Sequence, residues 1–142
     1  MLNNIPNNIS PDLMKYMMEM GHSDQLLIAD ANFPAKSNAK RFVLAEGVMI
    51  DDLLASILQF FPLDNFIAHP VTVMNYRESE PKPEVWNEYD KILKRDDQDQ
   101  AFTEFNLEER LAFYELSRQA YCVVQTSDTR RYGNILLQKG VC

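Results

Sequence analysis

The sequence predicts an α/β fold: a single domain with a mixed, mostly parallel sheet and helices on both faces. Short apolar runs, typical of buried strands, alternate along the chain with longer segments of helical periodicity. This alternation favours parallel strands joined by crossover helices, because parallel strands need long connections. The chain has 142 residues, and no internal repeat is visible. This length predicts one domain over residues 1–142.

The first predicted helix has a suitable residue at each end. Ser10 is a good N-cap, and Pro11 suits the first helical position. Leucine and methionine side chains recur at roughly helical spacing as far as Met20, and Gly21 is a common residue just after a helix. The apolar run Leu26-Leu27-Ile28-Ala29 follows and predicts a buried strand over Gln25–Ala29.

The rest of the chain continues the alternation of strands and helices. Residues 32–39 are rich in turn formers and predict a loop. The predicted strands are residues 41–44, 71–76, 121–126 and 134–138, and the predicted helices are residues 50–61, 84–93 and 107–119. The polar segment 78–83 contains two prolines, but it lies too near the centre to divide so short a chain.

Charge and apolar content exclude several classes of partner. The formal net charge is −7, and the longest basic candidates, residues 91–95 and 130–131, are short and flanked by acids. We therefore expect neither nucleic acid nor an acidic membrane surface as a partner. No stretch is apolar enough to span a bilayer, and the first residues lack the pattern of a signal peptide, so the expected location is cytoplasmic.

The motifs of common cofactor and metal sites are absent. The chain has four glycines, and none forms a dinucleotide fingerprint, a phosphate loop or a nucleophile elbow. Its two cysteines, Cys122 and Cys142, are far apart in sequence and give no zinc or redox motif. Four further potential ligands match no usual metal-binding spacing, so we expect no metal site. They are His22, Asp24, Asp30 and His69.

Two side chains capable of proton transfer flank the first predicted strand. His22 comes before it, and histidine is the side chain whose ordinary pKa lies near neutral pH. Asp30 follows it, where ligand-binding residues collect in open α/β sheets. Each also has a simpler interpretation, in which His22 closes a helix and Asp30 caps a loop. The residues alone favour the simpler interpretation.

Three more polar residues lie near predicted element ends, and together with His22 and Asp30 they suit a sugar. They are Arg110, Tyr132 and Asn134, with Lys36 and His69 as weaker candidates. Charged and amide groups bind hydroxyls, and an aromatic ring covers an apolar sugar face. Spacing alone favours Arg110 as a charge near a helix start, and residues 132–134 could be a turn. Composition and periodicity do not decide between these alternatives.

Several sequence blocks resemble the L-fucose mutarotase / D-ribose pyranase family, in order and over nearly the whole chain. The blocks are Ile9-Ser10-Pro11-Asp12-Leu13, Met20-Gly21-His22-Ser23-Asp24, residues 28–35, Arg110-Leu111-Ala112-Phe113-Tyr114-Glu115, residues 132–137 and Lys139-Gly140-Val141. The Phe113-Tyr114-Glu115 block and the Asn32-Phe33-Pro34-Ala35 block resemble the fucose branch. One position departs from that branch, which commonly has glycine where this chain has Ser23.

The resemblance implies an isomerase that interconverts the α and β anomers of free L-fucose or a similar monosaccharide. It implies that His22 is the proton donor and that Asp30, Arg110, Tyr132 and Asn134 hold the sugar. It further implies a ring-shaped homo-oligomer, expected to be a decamer, without a metal or organic cofactor. The alternatives are a D-ribose pyranase, a non-catalytic sugar-binding protein and a structural oligomer. Lys36, His69 and Tyr114 receive no role from the sequence.

Overall fold

Six strands form one sheet in the computed structural model, which describes residues 1–142. The strands are β1 (Gln25–Ala29), β2 (Phe42–Ala45), β3 (Val71–Met74), β4 (Asn106–Glu108), β5 (Cys122–Thr126) and β6 (Ile135–Gln138). The helices are α1 (Pro11–Glu19), α2 (Ala35–Asn38), α3 (Ile50–Ile57), α4 (Val85–Asp96) and α5 (Arg110–Gln119). None of these helices combines the length and apolar composition needed to cross a bilayer.

The strand order is β2-β5-β1-β6-β3-β4, and only β6 runs against its neighbours. The pairs β1–β5, β2–β5 and β3–β4 are parallel. Because β6 is reversed, its first residue lies at the edge of the sheet where β1 and β3 end. The prediction of a mixed, mostly parallel sheet is confirmed.

Helices cover both faces of the sheet, as the sequence predicts. Strand β1 is buried along most of its length because its side chains alternate between two cores. Leu26 and Ile28 face the larger core, which includes buried side chains of α1, α3 and α4. Leu27 and Ala29 face the smaller core, which includes buried side chains of α2 and α5.

Local capping explains where two of the helices begin. Ser10 accepts a hydrogen bond from the Leu13 N–H at 3.1 Å, and Pro11 occupies the first helical position. Glu109 caps α5 in the same way, by accepting a hydrogen bond from the Ala112 N–H at 2.9 Å. A side-chain acceptor satisfies one of the N–H groups that a helix start leaves without a partner.

The structure differs from the predicted elements directly before helix α5 and in one loop. Residues 106–108, assigned largely to the start of a helix, form the edge strand β4, which pairs with β3 from Thr72 and Asn106 onward. This strand contains one apolar residue, the exposed Leu107, so it carries no pattern of alternating burial. The loop over residues 32–39 contains the one-turn helix α2.

Candidate functional site

A pocket of about 500 Å³ opens at the edge of the sheet where β1, β3 and β5 end and β6 begins. This volume is within the range of sites for small molecules. Open α/β sheets bind ligands at this edge because the loops after parallel strands meet there. The pocket is lined by Asp30, Asn32, Phe33, Met74, Arg77, Glu80, Tyr114, Thr129, Arg131, Tyr132 and Asn134.

Asp30 and Asn134 hold each other at the base of this pocket, and both are more than nine-tenths buried. The Asp30 N–H donates to Asn134 Oδ1 at 2.8 Å, and Asn134 Nδ2 donates to Asp30 Oδ2 at 3.1 Å. The Asn32 N–H donates to Asp30 Oδ1 at 2.9 Å. The carboxylate therefore has a fixed orientation before any ligand arrives, which suits a group that must position one.

Burial raises the pKa of Asp30 above its ordinary value. The hydrogen bonds from the Asn32 and Phe33 backbone and from Asn134 oppose this effect but do not outweigh it, and the nearby Asp128 charge adds to it. Asp30 is therefore a carboxyl group in a fixed position whose burial disfavours the charged form.

Tyr132 is held in an unusual backbone conformation at the side of the pocket. Its φ of 57° lies in the left-handed region, which non-glycine residues seldom adopt. Trp86 Nε1 donates to the Tyr132 carbonyl at 2.8 Å, and the Tyr89 hydroxyl donates to the Gly133 carbonyl at 2.8 Å. These two bonds fix the backbone that directs the Tyr132 ring. Strain of this kind persists only where the surroundings determine the conformation.

Glu80 accepts a hydrogen bond from the Tyr132 hydroxyl and a second one from Arg131 at 3.3 Å. The hydrogen bond to this carboxylate raises the pKa of Tyr132, because a phenolate could not donate it. The same bond, together with the charges of Arg131 and Arg77, holds the pKa of Glu80 below its ordinary value. One wall of the pocket is thus a hydrogen-bonded network of charged groups and one neutral phenol.

Replacing Glu80 with glutamine is expected to lower the pKa of Tyr132. The amide oxygen can still accept the hydroxyl proton, but the negative charge that opposes ionisation of the phenol is lost. The measurement is a spectrophotometric titration of tyrosine ionisation. The titration curve of Tyr132 is obtained by subtracting the curve of the same protein with Tyr132→Phe. Glu84→Gln is the matched control, since Glu84 is exposed on the same segment. An unchanged Tyr132 titration in the Glu80 variant would contradict the expectation.

An ion pair between the half-buried Arg130 and the buried Asp128 supports the loop that carries Thr129, Arg131 and Tyr132 into the pocket. Arg130 donates to both oxygens of Asp128, at 2.9 and 2.5 Å, and to Asp51 at 2.9 Å. Asp128 is fully buried and also accepts the Ile50 N–H at 3.1 Å. Burial would raise the pKa of Asp128, but the bonds from Arg130 and the Ile50 N–H together hold it below its ordinary value.

The structure brings three of the five predicted site residues into this pocket: Asp30, Tyr132 and Asn134. Arg110 lies exposed at the first residue of α5, beside the pocket. Its guanidinium carbon is 5.9 Å from the ring centroid of Tyr114, which lines the pocket. Arg110 is therefore one helical turn from the lining and outside it.

His22 lies at the opposite end of the sheet from Asp30. The two residues flank β1, whose five residues span about 17 Å. His22 Nε2 is 3.2 Å from Asp64 Oδ2, and its ring centroid is 5.3 Å from that of Phe66. The His22 side chain is 43% exposed. A single chain therefore does not bring His22 to the pocket that contains Asp30.

The weaker candidates also lie outside the pocket. Lys36 Nζ is 5.6 Å from the ring centroid of Phe42, and His69 Nε2 is 3.7 Å from Glu104. Sequence reasoning missed the two lining residues in the segment after β3, Arg77 and Glu80. By sequence alone, residues 78–83 of this segment are a polar break. Its position directly after a strand is the signal that could have identified it.

Asp64, which contacts His22, is held in place where the backbone of residues 62–64 lies close to that of residues 138–140. The Asp64 N–H donates to the Gln138 carbonyl at 3.0 Å, and the Gly140 N–H donates to the Pro62 carbonyl at 2.8 Å. A Cβ atom at Gly140 would lie 2.5 Å from the Leu63 carbonyl oxygen and 2.9 Å from the Asp64 Cα. Glycine at position 140 therefore permits the contact that places Asp64.

Replacing Gly140 with alanine is expected to destabilise the fold by about 1–3 kcal/mol, the usual cost of overpacking. Since the obstructing atoms belong to the backbone of residues 63 and 64, the segment must move, and Asp64 moves with it. Urea unfolding measures the loss. Gly21→Ala is the matched control, because the nearest atom to a Cβ there is Asp24 Oδ2 at 3.8 Å. Equal stability of the two variants would contradict the expectation.

Ser23 has a backbone conformation that glycine adopts more readily than serine does. Its φ is 73°, and its N–H donates to the Lys139 carbonyl at 2.9 Å. Glycine adopts this region without strain, whereas an L-residue pays about 1 kcal/mol. The backbone bond to Lys139 holds the serine in place, so the turn that presents His22 is kept.

Comparison with known proteins identifies the family. The model of the RbsD / FucU transport protein family matches residues 3–142. The chain belongs to this family. Among curated RbsD / FucU relatives, it is 39% identical to the fucose mutarotase of Danio rerio over 149 residues, covering 99% of the chain and 94% of the relative. It is 37% identical to that of Homo sapiens over 147 residues, with the same coverage.

Solved structures place the chain nearer to fucose mutarotases than to ribose-binding members. It superposes with a TM-score of 0.93 on the Streptococcus pneumoniae fucose mutarotase in complex with L-fucose, at 40% identity and 99% coverage of both chains. The Bacillus subtilis RbsD complexed with D-ribose gives a TM-score of 0.73 at 20% identity, with 100% and 99% coverage. That second likeness shows a shared fold alone.

Proposed function

We propose that this protein is an L-fucose mutarotase, an isomerase that interconverts the α and β anomers of the free sugar. The observation that carries the proposal is full-length similarity, in sequence and structure, to a fucose mutarotase in complex with L-fucose. The polar pocket at the edge of the sheet where β1 and β3 end supports it, because it has the volume and the side chains that a monosaccharide needs.

The two sides of the pocket suit a deoxy sugar with both polar and apolar faces. The buried Asp30–Asn134 pair offers fixed oxygen acceptors to hydroxyl groups. Apolar surface comes from Phe33, Met74 and Tyr114, and the Phe33 and Tyr114 rings meet edge to face at 5.4 Å. Arg110 at the rim would hold a further hydroxyl, and Tyr132 would bound the pocket.

Mutarotation opens the ring, rotates the free aldehyde group and closes the ring on its other face. One group gives a proton to the ring oxygen while another takes the proton of the anomeric hydroxyl, and both transfers reverse on closure. We assign the proton donation to His22 and the holding of a sugar hydroxyl to Asp30. Acid–base catalysis of this kind contributes about a hundredfold to ten-thousandfold.

This assignment requires a second copy of the chain, since His22 and the pocket lie at opposite ends of the sheet. We propose a ring-shaped homo-oligomer, a decamer as the resemblance implies, in which His22 of one copy completes the pocket of another. Exposed apolar side chains support such contacts: Phe66 and Ile67 follow Asp64 on the His22 side, and Leu107 and Leu111 flank Arg110. The cytoplasmic location stays a prediction.

The test measures the exchange between anomers by NMR with trace protein, offering L-fucose and D-ribose separately. Faster α/β exchange of L-fucose supports the proposal. Faster exchange of D-ribose alone would make the protein a pyranase that interconverts pyranose and furanose forms. A protein that only binds sugar would shift anomer populations at stoichiometric concentration without speeding exchange at trace amounts. No sugar-dependent change at all would indicate a structural oligomer.

A further inference from the structure

The Glu80 carboxylate and the Tyr132 hydroxyl contact each other on one wall of the pocket, and each is placed by its own part of the backbone. The Glu80 N–H donates to the Arg77 carbonyl at 2.9 Å, which closes a turn in the segment after β3. Trp86 Nε1 holds the Tyr132 carbonyl from the other side. The contact between carboxylate and phenol is therefore built into the fold before any ligand arrives.

The hydrogen in this contact belongs to Tyr132. The Glu80 side chain is 25% exposed and also accepts a hydrogen bond from Arg131 at 3.3 Å. The bond from Tyr132, with the charges of Arg131 and Arg77, holds the pKa of Glu80 below its ordinary value although partial burial opposes this. An ionised carboxylate only accepts hydrogen bonds, so the phenol is the donor.

The phenol of Tyr132 has a single hydrogen, and Glu80 takes it. The bond to Glu80 raises the pKa of Tyr132, and the Arg77 N–H and charge oppose this rise without outweighing it. Tyr132 is therefore un-ionised near neutral pH, and it has no second hydrogen for a ligand. Towards the pocket its hydroxyl group offers only the lone-pair side of the oxygen.

We infer that Glu80 is a positioning residue that takes the hydroxyl hydrogen of Tyr132, so that Tyr132 accepts a hydrogen bond from a sugar hydroxyl and donates none to it. The part of the inference that concerns the sugar rests on the proposed mutarotase function. A substrate group that lies against the Tyr132 oxygen must then supply the hydrogen itself. This requirement selects a free hydroxyl and disfavours a group that only accepts, such as an ether oxygen or a fluorine atom.

The role of Glu80 is tested by NMR without sugar, on protein labelled with ¹³C at the Cζ atom of tyrosine. The chain has six tyrosines, and Tyr132→Phe assigns the resonance of Tyr132. This resonance responds to the hydrogen bond that the phenol donates. We expect it to move in Glu80→Ala and to move less in Glu80→Gln, because the amide oxygen is still an acceptor. An unchanged resonance in Glu80→Ala would overturn the inference.

Glu78→Ala is the matched control for the loss of a negative charge from the same segment. Glu78 is exposed, lies two residues before Glu80 and makes no hydrogen bond to Tyr132. We expect this variant to keep the Tyr132 resonance and the affinity for L-fucose. A change as large as that in Glu80→Ala would assign the effect to charge alone and contradict a positioning role.

The direction of the bond to the sugar is tested by binding of L-fucose derivatives in which each hydroxyl except the anomeric one is replaced in turn by hydrogen or by fluorine. Fluorine donates no hydrogen bond. At the position that contacts Tyr132 we expect both derivatives to bind equally, each about two- to tenfold more weakly than L-fucose. Tyr132→Phe should abolish this loss at that position only. A fluorine that binds as well as the hydroxyl there, or no position that responds to Tyr132→Phe, would overturn the inference.

Glu80→Ala is expected to weaken the binding of L-fucose by a similar factor, because the phenol hydrogen is released and the oxygen is no longer held as an acceptor. Glu80→Gln should bind within about twofold of the unmodified protein, since it keeps an acceptor for the phenol. Equal weakening in the two variants would show that the charge of Glu80, and not its hydrogen bond, supports the sugar site.

The proposed function and this inference fail in different ways. If the unmodified protein neither binds L-fucose nor speeds its exchange, the proposed function is wrong, while the tyrosine spectrum still decides whether Glu80 holds the phenol. If Glu80→Ala does not fold, the series of sugar derivatives on the unmodified protein and on Tyr132→Phe still decides the direction of the bond.

Discussion

His22→Ala is expected to slow the exchange of L-fucose anomers by about a hundredfold to ten-thousandfold, the usual contribution of a general acid–base group. Sugar affinity should change little, because the groups proposed to hold hydroxyls are Asp30, Arg110 and Asn134. NMR line shapes or magnetisation transfer between the two anomers measure the exchange at trace protein. Titration with sugar at stoichiometric protein measures the affinity.

His69→Ala is the control for this experiment, since the other histidine contacts Glu104 and lies outside the pocket. It should retain exchange at nearly the full rate. Equal losses of exchange and of affinity in the His22 variant would contradict the prediction and would make His22 a binding group only.

Arg130→Met is expected to lower the free energy of unfolding by about 2–3 kcal/mol at neutral pH. The variant leaves Asp128 fully buried without its cation. The value is below the usual cost of breaking a buried pair because the Arg130 side chain is 37% exposed and Asp128 keeps the Ile50 N–H as a donor. Arg118→Met, which removes an exposed pair with Glu115, should cost less than about 1 kcal/mol.

The destabilisation by Arg130→Met depends on pH in a defined direction. The folded-state pKa of Asp128 is depressed, so its contribution to stability is fully present above the unfolded pKa of about 3.9 and is lost as pH falls through the folded pKa. The difference in stability between wild type and variant should therefore be constant near neutral pH and shrink in acid. Urea unfolding at a series of pH values measures it. A difference that grows on acidification would contradict the argument.

The sequence predicts well the strands whose residues are apolar because they are buried, and the helices that carry their own capping residues. Four of the five residues of strand β1 are apolar and buried, and α1 has an N-cap at Ser10 followed by Pro11 at the first helical position. The edge strand β4 was missed because its identity depends on pairing with β3, which three mostly polar residues do not reveal. Strands of this kind are defined by their neighbours rather than by their own pattern.

The sequence predicts those residues of the candidate site that lie next to a recognisable strand. Asp30 follows a recognisable strand, so its place at the sheet edge follows from the topology of α/β folds. Glu80 and Arg77 reach the pocket through an irregular segment whose path no local pattern describes. The sequence also placed His22 and Asp30 only eight residues apart. The extended strand between them is what separates them in space.

The reversed strand β6 connects the two ends of the sheet on which the proposed chemistry depends. Asn134, directly before it, pairs with Asp30, and Gln138, its last residue, pairs with Asp64. This short strand therefore sets the distance between two parts of each chain. One is His22, which completes the pocket of one neighbour, and the other is the pocket around Asp30, which a second neighbour completes. In the proposed ring, a chain that dissociates would keep its fold and every functional side chain yet hold no complete site. Assembly would then be a condition of turnover even where it is not a condition of folding.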